Sequence, residues 1–384
     1  MPRSLNYLQG LMRLRKFSPD ISELIIFITN ACNLNCGHCF YSAELRKPTE
    51  TIKIEDYEKM IKSLQRPLLN VILTGGEPFL EPKIPAIVKI LNDINKTKQI
   101  TIPSNGRTVD LIVEKTKEIL SIFRGHVHVQ ISLDGLSQYH NKLRGDEKSF
   151  ASAVLTVQRL RELVKTKNNF TVGVNTTVSR ENLSELEELA KFVNQELAVP
   201  QNFELIRGVN YLDNKVINAG ILSDFKPKEE NILVPSDQEL ADLNKKLDKI
   251  LFLNTKYVKD VSVLLKPFFY ATKSTQEFYF SKKMLFEKKP LKFCKAGRSM
   301  AVIYPNGDLA FCELTKIIVN LRAYDFDLYK LWNDETIKNK SKMLKCYCTH
   351  GCFVPQTFPY FSDMRLRFIK QVFKYLYFKF KNLK

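Results

Sequence analysis

Short runs rich in apolar and β-branched residues alternate with amphipathic runs from about residue 24 to about 208, and this alternation constrains the fold more than any other property of the chain. The strand-like runs are Leu24–Thr29, Asn70–Thr74, Gln99–Pro103, Val127–Leu133, Phe170–Val178 and Asn202–Ile206. Between them lie Glu55–Gln65, Ile84–Asn95, Val109–Ile122, Phe150–Lys165 and Glu181–Glu196. These are charged, with apolar residues at helical spacing, as in Leu183, Leu186, Leu189, Ala190 and Val193. A strand and a helix repeating every thirty residues or so predict right-handed βαβ units and a parallel sheet. Six units are too few for the closed eight-stranded barrel. Parallel α/β folds carry their chemistry at the carboxyl ends of the strands, so the segments that follow each strand are where site residues are expected.

The chain has 384 residues, 44% of them hydrophobic, enough for a large core. Met1–Ser18 lacks the continuous apolar stretch of a secretory signal, and no run approaches the length of a membrane span. A cytoplasmic setting follows, in which the eight cysteines act as ligands rather than disulfides. The net charge of +18 raises nucleic acid as a partner. Much of the excess is terminal, however: Arg3, Arg13, Arg15 and Lys16 at one end, seven Lys or Arg and no acid over 364–384 at the other. With no zinc-finger or RNP-type motif, nucleic acid is not expected.

Directly after the first strand comes Cys32-Asn33-Leu34-Asn35-Cys36-Gly37-His38-Cys39. Three thiolates in eight residues can converge on one metal centre, and three ligands on a four-iron cluster leave one iron open. Zinc sites usually pair cysteines as C-x2-C and need a fourth ligand nearby, so the spacing favours iron–sulfur. After the second strand stands Thr74-Gly75-Gly76-Glu77-Pro78, after the third Ser104-Asn105-Gly106, and after the fourth Ser132-Leu133-Asp134-Gly135 with Arg144-Gly145 beyond. A second cysteine unit holds Cys294, Gly307-x4-Cys312 and Cys346-x-Cys348-x3-Cys352 around the hairpin signal Pro305-Asn306-Gly307-Asp308.

Taken together these segments resemble the radical S-adenosylmethionine (SAM) superfamily, and the SLDG…H-x-x-x-RG stretch resembles its SPASM/twitch branch. The resemblance covers roughly residues 22–352. It implies a partial (β/α)6 barrel whose Cys32, Cys36 and Cys39 hold a 4Fe–4S cluster with SAM on its open iron. It implies that Gly75, Gly76, Glu77 and Pro78 hold the SAM amino group and that Ser104 and Asn105 contact the ribose. Ser132 and Arg144 would grip the SAM carboxylate, an arginine fork suiting a planar carboxylate. Asp134 would orient that loop or contact the ribose, and Asn175 would line the adenine pocket or be structural. His38 stands where the family commonly has an aromatic residue; its ring can stack on adenine, neighbour the cluster or merely fill the loop.

Cys294 followed by Gly-x4-Cys is similar to the opening of the SPASM/twitch signature. A full SPASM domain uses more cysteines than the five here, and four saturate one cluster. A twitch-like domain with one auxiliary 4Fe–4S cluster is therefore implied, on Cys294, Cys312, Cys352 and either Cys348 or Cys346. A zinc ribbon, with His350 available, is the alternative.

The expected organisation is a basic N-terminal segment over 1–21, the barrel over 22–208, a helical cap over 209–290, the auxiliary domain over 291–352 and a basic amphipathic tail over 353–384. Within these, Asp237–Phe252 and Leu328–Met343 read as helices, and Phe268, Phe269 and Tyr270 form an aromatic knot. No general acid or base stands out; Glu204 and Arg207 are candidates to face the lumen. The tail mixes aromatics with cations and reads either as a helix docked on the barrel or as one lying on the inner membrane surface. The expected reaction is reductive SAM cleavage and hydrogen abstraction from a peptide or protein side chain, a sugar or a lipid-linked small molecule, with flavodoxin or ferredoxin as electron donor. Peptide maturases of the family often carry a recognition module before the barrel; about twenty residues precede it here, which weighs against that class. The rival reading is a non-catalytic iron–sulfur or zinc protein that relays electrons or binds nucleic acid; Glu77, Ser132 and Arg144 argue against it, since such a protein needs no SAM site.

Overall fold

The computed structural model describes residues 20–206, scattered positions between 235 and 270, residues 295–342 and a helix over 362–382. Six strands and the helices between them follow one another in chain order: β1 (Glu23–Thr29), α1 (Ile54–Ser63), β2 (Asn70–Gly75), α2 (Ile84–Ile90), β3 (Gln99–Ser104), α3 (Val109–Ile122), β4 (His126–Ser132), α4 (Ser137–Arg144), α5 (Ser149–Val164), β5 (Phe170–Val178), α6 (Leu186–Phe192) and β6 (Gln201–Leu205). Each strand pairs in parallel with the next, giving the partial barrel. The strand-like runs agree with the observed strands to within one residue at each end. α2 and α6 end in a widened π turn, over Leu91–Asn95 and Val193–Leu197, closed by Lys96 and Ala198 in the left-handed region. α4, a polar helix carrying a buried His140 and Arg144, was not expected from periodicity.

β3, β4 and β6 alternate strictly, whereas β1 is buried along its whole length. On β4, Val127, Val129 and Ile131 are buried while His126, His128, Gln130 and Ser132 are half-buried. The buried residues of β1 to β4 and most of β5 join one core with Ile112, Ile119, Leu160 and Leu189 of the helices, while Val178, Phe203 and Leu205 pack with Leu186 and Ala190 in a second cluster. Opposite side chains on a strand face opposite sides, so the sheet's other face is polar.

The cysteine-rich C-terminal unit extends this sheet. β7 (Met300–Ile303) lies parallel to β1, with Glu23 opposite Met300 and Ile26 opposite Ile303, and β8 (Asp308–Ala310) and β9 (Ile317–Asn320) follow antiparallel. The described strands thus form one nine-stranded sheet in the order β6-β5-β4-β3-β2-β1-β7-β8-β9. Gly307 at φ +89° closes the expected hairpin. The run Leu328–Met343 is not one helix. It divides into α7 (Leu328–Asn333) and α8 (Glu335–Lys342), because Asp334 turns extended and its carboxylate accepts from Thr336 N–H at 2.8 Å. The expected cap over 209–290 lies almost wholly outside the described residues, as do Arg207, Phe268, Phe269, His350 and the N-terminal segment 1–19. Among the described residues no helix is long and apolar enough to cross a membrane.

One buried ion pair fastens the base of this junction. Lys295 Nζ lies 2.5 Å from Glu23 Oε1, with both side chains no more than 4% exposed. Ser22 and Glu23 N–H both donate to Ser299 C=O beside it. Glu23→Gln strands a buried ammonium and is expected to cost about 3–5 kcal/mol, whereas Glu23→Met with Lys295→Met restores most of it. Chemical denaturation of the three proteins measures both numbers.

Candidate functional site

Four loops at the carboxyl ends of β1 to β4 converge on the cysteine loop. Cys32, Cys36 and Cys39 are free thiols of intermediate burial on the turn after β1. That turn is fixed by its neighbours: Gly37 N–H donates to Leu143 C=O at 2.9 Å, Arg46 Nη2 donates to Leu34 C=O at 2.5 Å, and Asn105 Nδ2 donates to Asn33 Oδ1 at 2.8 Å. Phe27 and Tyr41 pack beneath it, and Tyr41 O–H donates to Asn30 Oδ1 at 2.5 Å.

The two glycines after β2 have a role their sequence does not reveal. A Cβ on Gly75, at φ +134°, would stand 2.2 Å from the Thr29 carbonyl oxygen; one on Gly76 would stand 2.1 Å from that of Ala31. The opposing atoms are backbone and cannot swing away. Without Cβ atoms, Gly76 N–H reaches Thr29 C=O at 2.9 Å and Glu77 N–H reaches Ala31 C=O at 2.8 Å. The glycines therefore dock this loop on the cysteine turn.

That docking buries Glu77. Its carboxylate accepts from Ser104 O–H at 2.9 Å, Asn105 N–H at 2.8 Å and Phe79 N–H at 3.2 Å. Burial pushes its pKa up to about 7, against the pull of these donors. Ser104 and Asn105, expected at a ribose, are here the groups that fix Glu77. Pro78 opens a short 3-10 turn and is buried.

Asp134 is fully buried and organises the fourth loop. Its Oδ2 accepts from Arg144 Nε at 2.8 Å and Nη2 at 2.5 Å, and its Oδ1 accepts from Thr177 N–H at 3.0 Å. Burial opposes its charge, but the guanidinium outweighs that and holds it at about 2. Arg144 is correspondingly raised. The remaining nitrogen, Nη1, points to Cys36 Sγ at 3.7 Å. His140, absent from the expected site, supports this loop: Asp134 N–H donates to its Nδ1 at 3.1 Å, and its Nε2 meets Ser149 Oγ at 3.1 Å. Burial lowers its pKa to about 4, so the ring is neutral. Its signal in sequence was only the fixed spacing to Arg144.

Three observations bear on a cluster. Arg144 and Arg46 stand near the thiols, yet burial raises Cys32 and pushes Cys39 to about 11, so these two are neutral thiols until a metal takes their protons. His38 Nδ1 is shut off from solvent and has no hydrogen-bond partner, and burial holds the ring neutral at about 4. Among the described residues no three His, Cys, Asp or Glu are placed for a single metal ion. Three thiols in one turn are a donor set that suits a four-iron cluster with one iron left open.

Of the second cysteine unit only Cys312 is described; Cys294, Cys346, Cys348 and Cys352 lie outside the described residues. Cys312 is buried after β8, level with the start of β1, while Cys32 follows the end of β1. Cys312 and Cys32 therefore stand at opposite ends of β1, about 20 Å apart along a seven-residue strand.

The polar face of the sheet carries a ladder of side-chain hydrogen bonds. Gln130 Nε2 and Asn202 Nδ2 both donate to Asn175 Oδ1, at 3.3 and 2.9 Å; Asn202 also reaches Glu204 Oε1 at 3.4 Å. His126 and His128 share Thr171 Oγ1 at 2.8 and 2.9 Å. Asn175 and Glu204 were expected here. Gln130, Asn202 and the histidines were not singled out, because alternate polar residues on a strand ordinarily mark a solvated face.

Residues 26–193 match the radical SAM superfamily model. The chain is 26% identical over 186 residues to the Fe-coproporphyrin III synthase of Methanosarcina barkeri, covering 48% of this chain and 44% of that protein. It is 29% identical over 164 residues to the sporulation killing factor maturation protein SkfB of Bacillus subtilis, covering 43% of this chain and 37% of that one. It thus spans less than half the length of these curated relatives. Among solved structures, Streptococcus suis SuiB bound to precursor peptide SuiA superposes with a TM-score of 0.54 at 17% identity, covering 88% of this chain and 70% of that one. Over residues 26–193 the chain thus carries a domain of the radical SAM superfamily, and it shares its fold with SuiB.

Proposed function

We propose that this chain cleaves SAM reductively and removes a hydrogen atom from a C–H bond of a peptide or protein side chain. The observation that carries the reading is the convergence on one rim of the three thiols, buried Glu77 and Arg144, the last within 3.7 Å of Cys36 Sγ. When bound, the 4Fe–4S cluster supplies one electron to SAM, giving methionine and the 5′-deoxyadenosyl radical that takes the substrate hydrogen. Cys32, Cys36 and Cys39 would hold three of its irons. Glu77 would accept from the SAM ammonium, with Ser104 and Asn105 keeping the carboxylate aimed. Ser132 and Arg144 would hold the SAM carboxylate, and Asp134 keeps the guanidinium plane fixed for that contact. Neutral His38 would lie against the adenine. The buried layer of Phe27, Phe79 and Tyr41 beneath the rim excludes water from the site.

The neutral groups of that ladder, Gln130, Asn175, Asn202 and Thr171, support a substrate rich in amides. SuiB was solved bound to a precursor peptide, and SkfB is by name the maturation protein of a sporulation killing factor; the first of these points the same way. Cys312, with Cys294, Cys352 and Cys348 or Cys346, would hold an auxiliary cluster, and a flavodoxin or ferredoxin would supply electrons in the cytoplasm.

Anaerobically reconstituted protein should hold about eight iron and eight sulfide, and alanine at Cys32, Cys36 and Cys39 together should remove about half. With dithionite it should form 5′-deoxyadenosine slowly even without substrate. Stoichiometric zinc with little sulfide defeats the reading.

Arg144→Ala combined with Asp134→Asn, which avoids stranding the buried carboxylate, should weaken SAM binding by about 1.5–3 kcal/mol, the worth of a charged hydrogen bond to a carboxylate. Titration calorimetry with the iron-loaded protein reads this directly, and unchanged affinity means the carboxylate is held elsewhere.

SAM affinity should depend on pH through Glu77. Its acid form, favoured below about 7, cannot pair with an ammonium, so each unit below that pH costs about tenfold in affinity. Affinity therefore rises with pH up to about 7 and then levels. Glu77→Gln should bind more weakly and lose this slope.

A further inference from the structure

The C-terminal helix α9 (Ser362–Asn382) carries two apolar faces. One is docked: Tyr375, 5% exposed, packs on Phe252 and Tyr270 with ring centroids 5.1 and 5.7 Å away, and Phe378 lies 5.4 Å from Phe252. The other faces solvent. Ile369, Phe373, Leu376, Tyr377 and Phe380 are 47–67% exposed, and they supply five of the eight exposed large hydrophobic side chains among the described residues. At 3.6 residues per turn these five fall within an arc of roughly 100°. Lys370, Lys374 and Lys381 border that arc on one side and Lys379 on the other. Lys381 Nζ lies 6.0 Å from the Tyr377 ring centre, its stem running along the apolar arc.

We propose that this face lies in the plane of an anionic lipid surface, its aromatic arc at the boundary of headgroups and acyl chains and its lysines at the phosphates. Charge selects the occupant. Residues 364–384 hold seven cations and no acid in a chain of net charge +18. A second copy of the same face would bring like charges together, whereas anionic headgroups neutralise them. The lysines also exclude a spanning helix. The docked face explains why the arc can be exposed without the helix detaching: Tyr375 and Phe378 hold it to the protein independently of lipid.

The test uses the full chain with vesicles of mixed phosphatidylcholine and phosphatidylglycerol, and with phosphatidylcholine alone. Intact protein should co-sediment with the anionic vesicles at low salt, weakly with the neutral ones, and partly dissociate as salt rises. Phe373→Ser with Phe380→Ser, both at exposed positions, should lower vesicle affinity at least tenfold while leaving thermal unfolding and substrate-free deoxyadenosine formation unchanged. Phe373→Trp should show a blue-shifted emission on anionic vesicles, readable against the one native tryptophan, Trp332, which is 5% exposed. Intact protein that stays in the supernatant, or a double serine variant that binds like the parent, overturns the proposal. So does a light-scattering mass showing a dimer that the double variant converts to monomer, since the face would then meet a second copy.

Discussion

The Asp134–Arg144 pair is the interaction on which the rim depends. Both groups are buried, and neither charge is tolerable there alone. Together they join four pieces of chain: the β4 loop that carries Asp134, the end of α4 that carries Arg144, the β5 backbone at Thr177 and the cysteine loop at Cys36. A buried ion pair adds little net stability, because desolvation offsets most of the attraction. Its effect here is orientation. Two of the guanidinium's nitrogens are committed to one carboxylate oxygen, so the third has one direction left. Neutral His140 and Asn182, whose Nδ2 donates to the Asp134 carbonyl at 2.7 Å, hold the backbone that sets this geometry.

A second constraint is steric. The cysteine turn and the Gly75-Gly76 turn approach so closely that no side chain fits between them. This brings Glu77 under the rim, where Ser104 and Asn105 can reach it. Three consecutive loops are thereby locked into one surface by backbone contact and one carboxylate. Gly145, at φ +67°, repeats the device on the other side, where an added Cβ would lie 3.3 Å from Asn35 C=O. Preorganised donors of this kind need little rearrangement when a charged ligand arrives.

The sheet also decides where the second cysteine unit stands. β7 adds to the free edge of β1 in parallel, so the chain enters this unit at the end of the sheet opposite the cysteine turn. The Glu23–Lys295 pair and the Ser299 carbonyl fasten that entry. Covering the edge of β1 also removes a row of unpaired backbone groups.

The six strands and the helices between them were legible in the chain, since strand and helix periods differ and each run is long enough to show its own. The loops proposed to hold the site were legible too, because thiols, glycines and a lone acid stand after consecutive strands. Contacts between loops were not legible. The glycines look like turn residues until Thr29 and Ala31 are placed against them, and Ser104 and Asn105 look like ligand contacts until Glu77 is seen between them. α4 was missed because its buried residues are histidine and arginine, whose burial depends on Asp134 ten residues before Arg144 in the chain. The two readings of the tail, docked or interfacial, were alternatives in sequence because periodicity cannot say which apolar arc meets the protein. Tertiary packing decided it by placing Phe252 and Tyr270 against Tyr375 and leaving Phe373 and Phe380 outside.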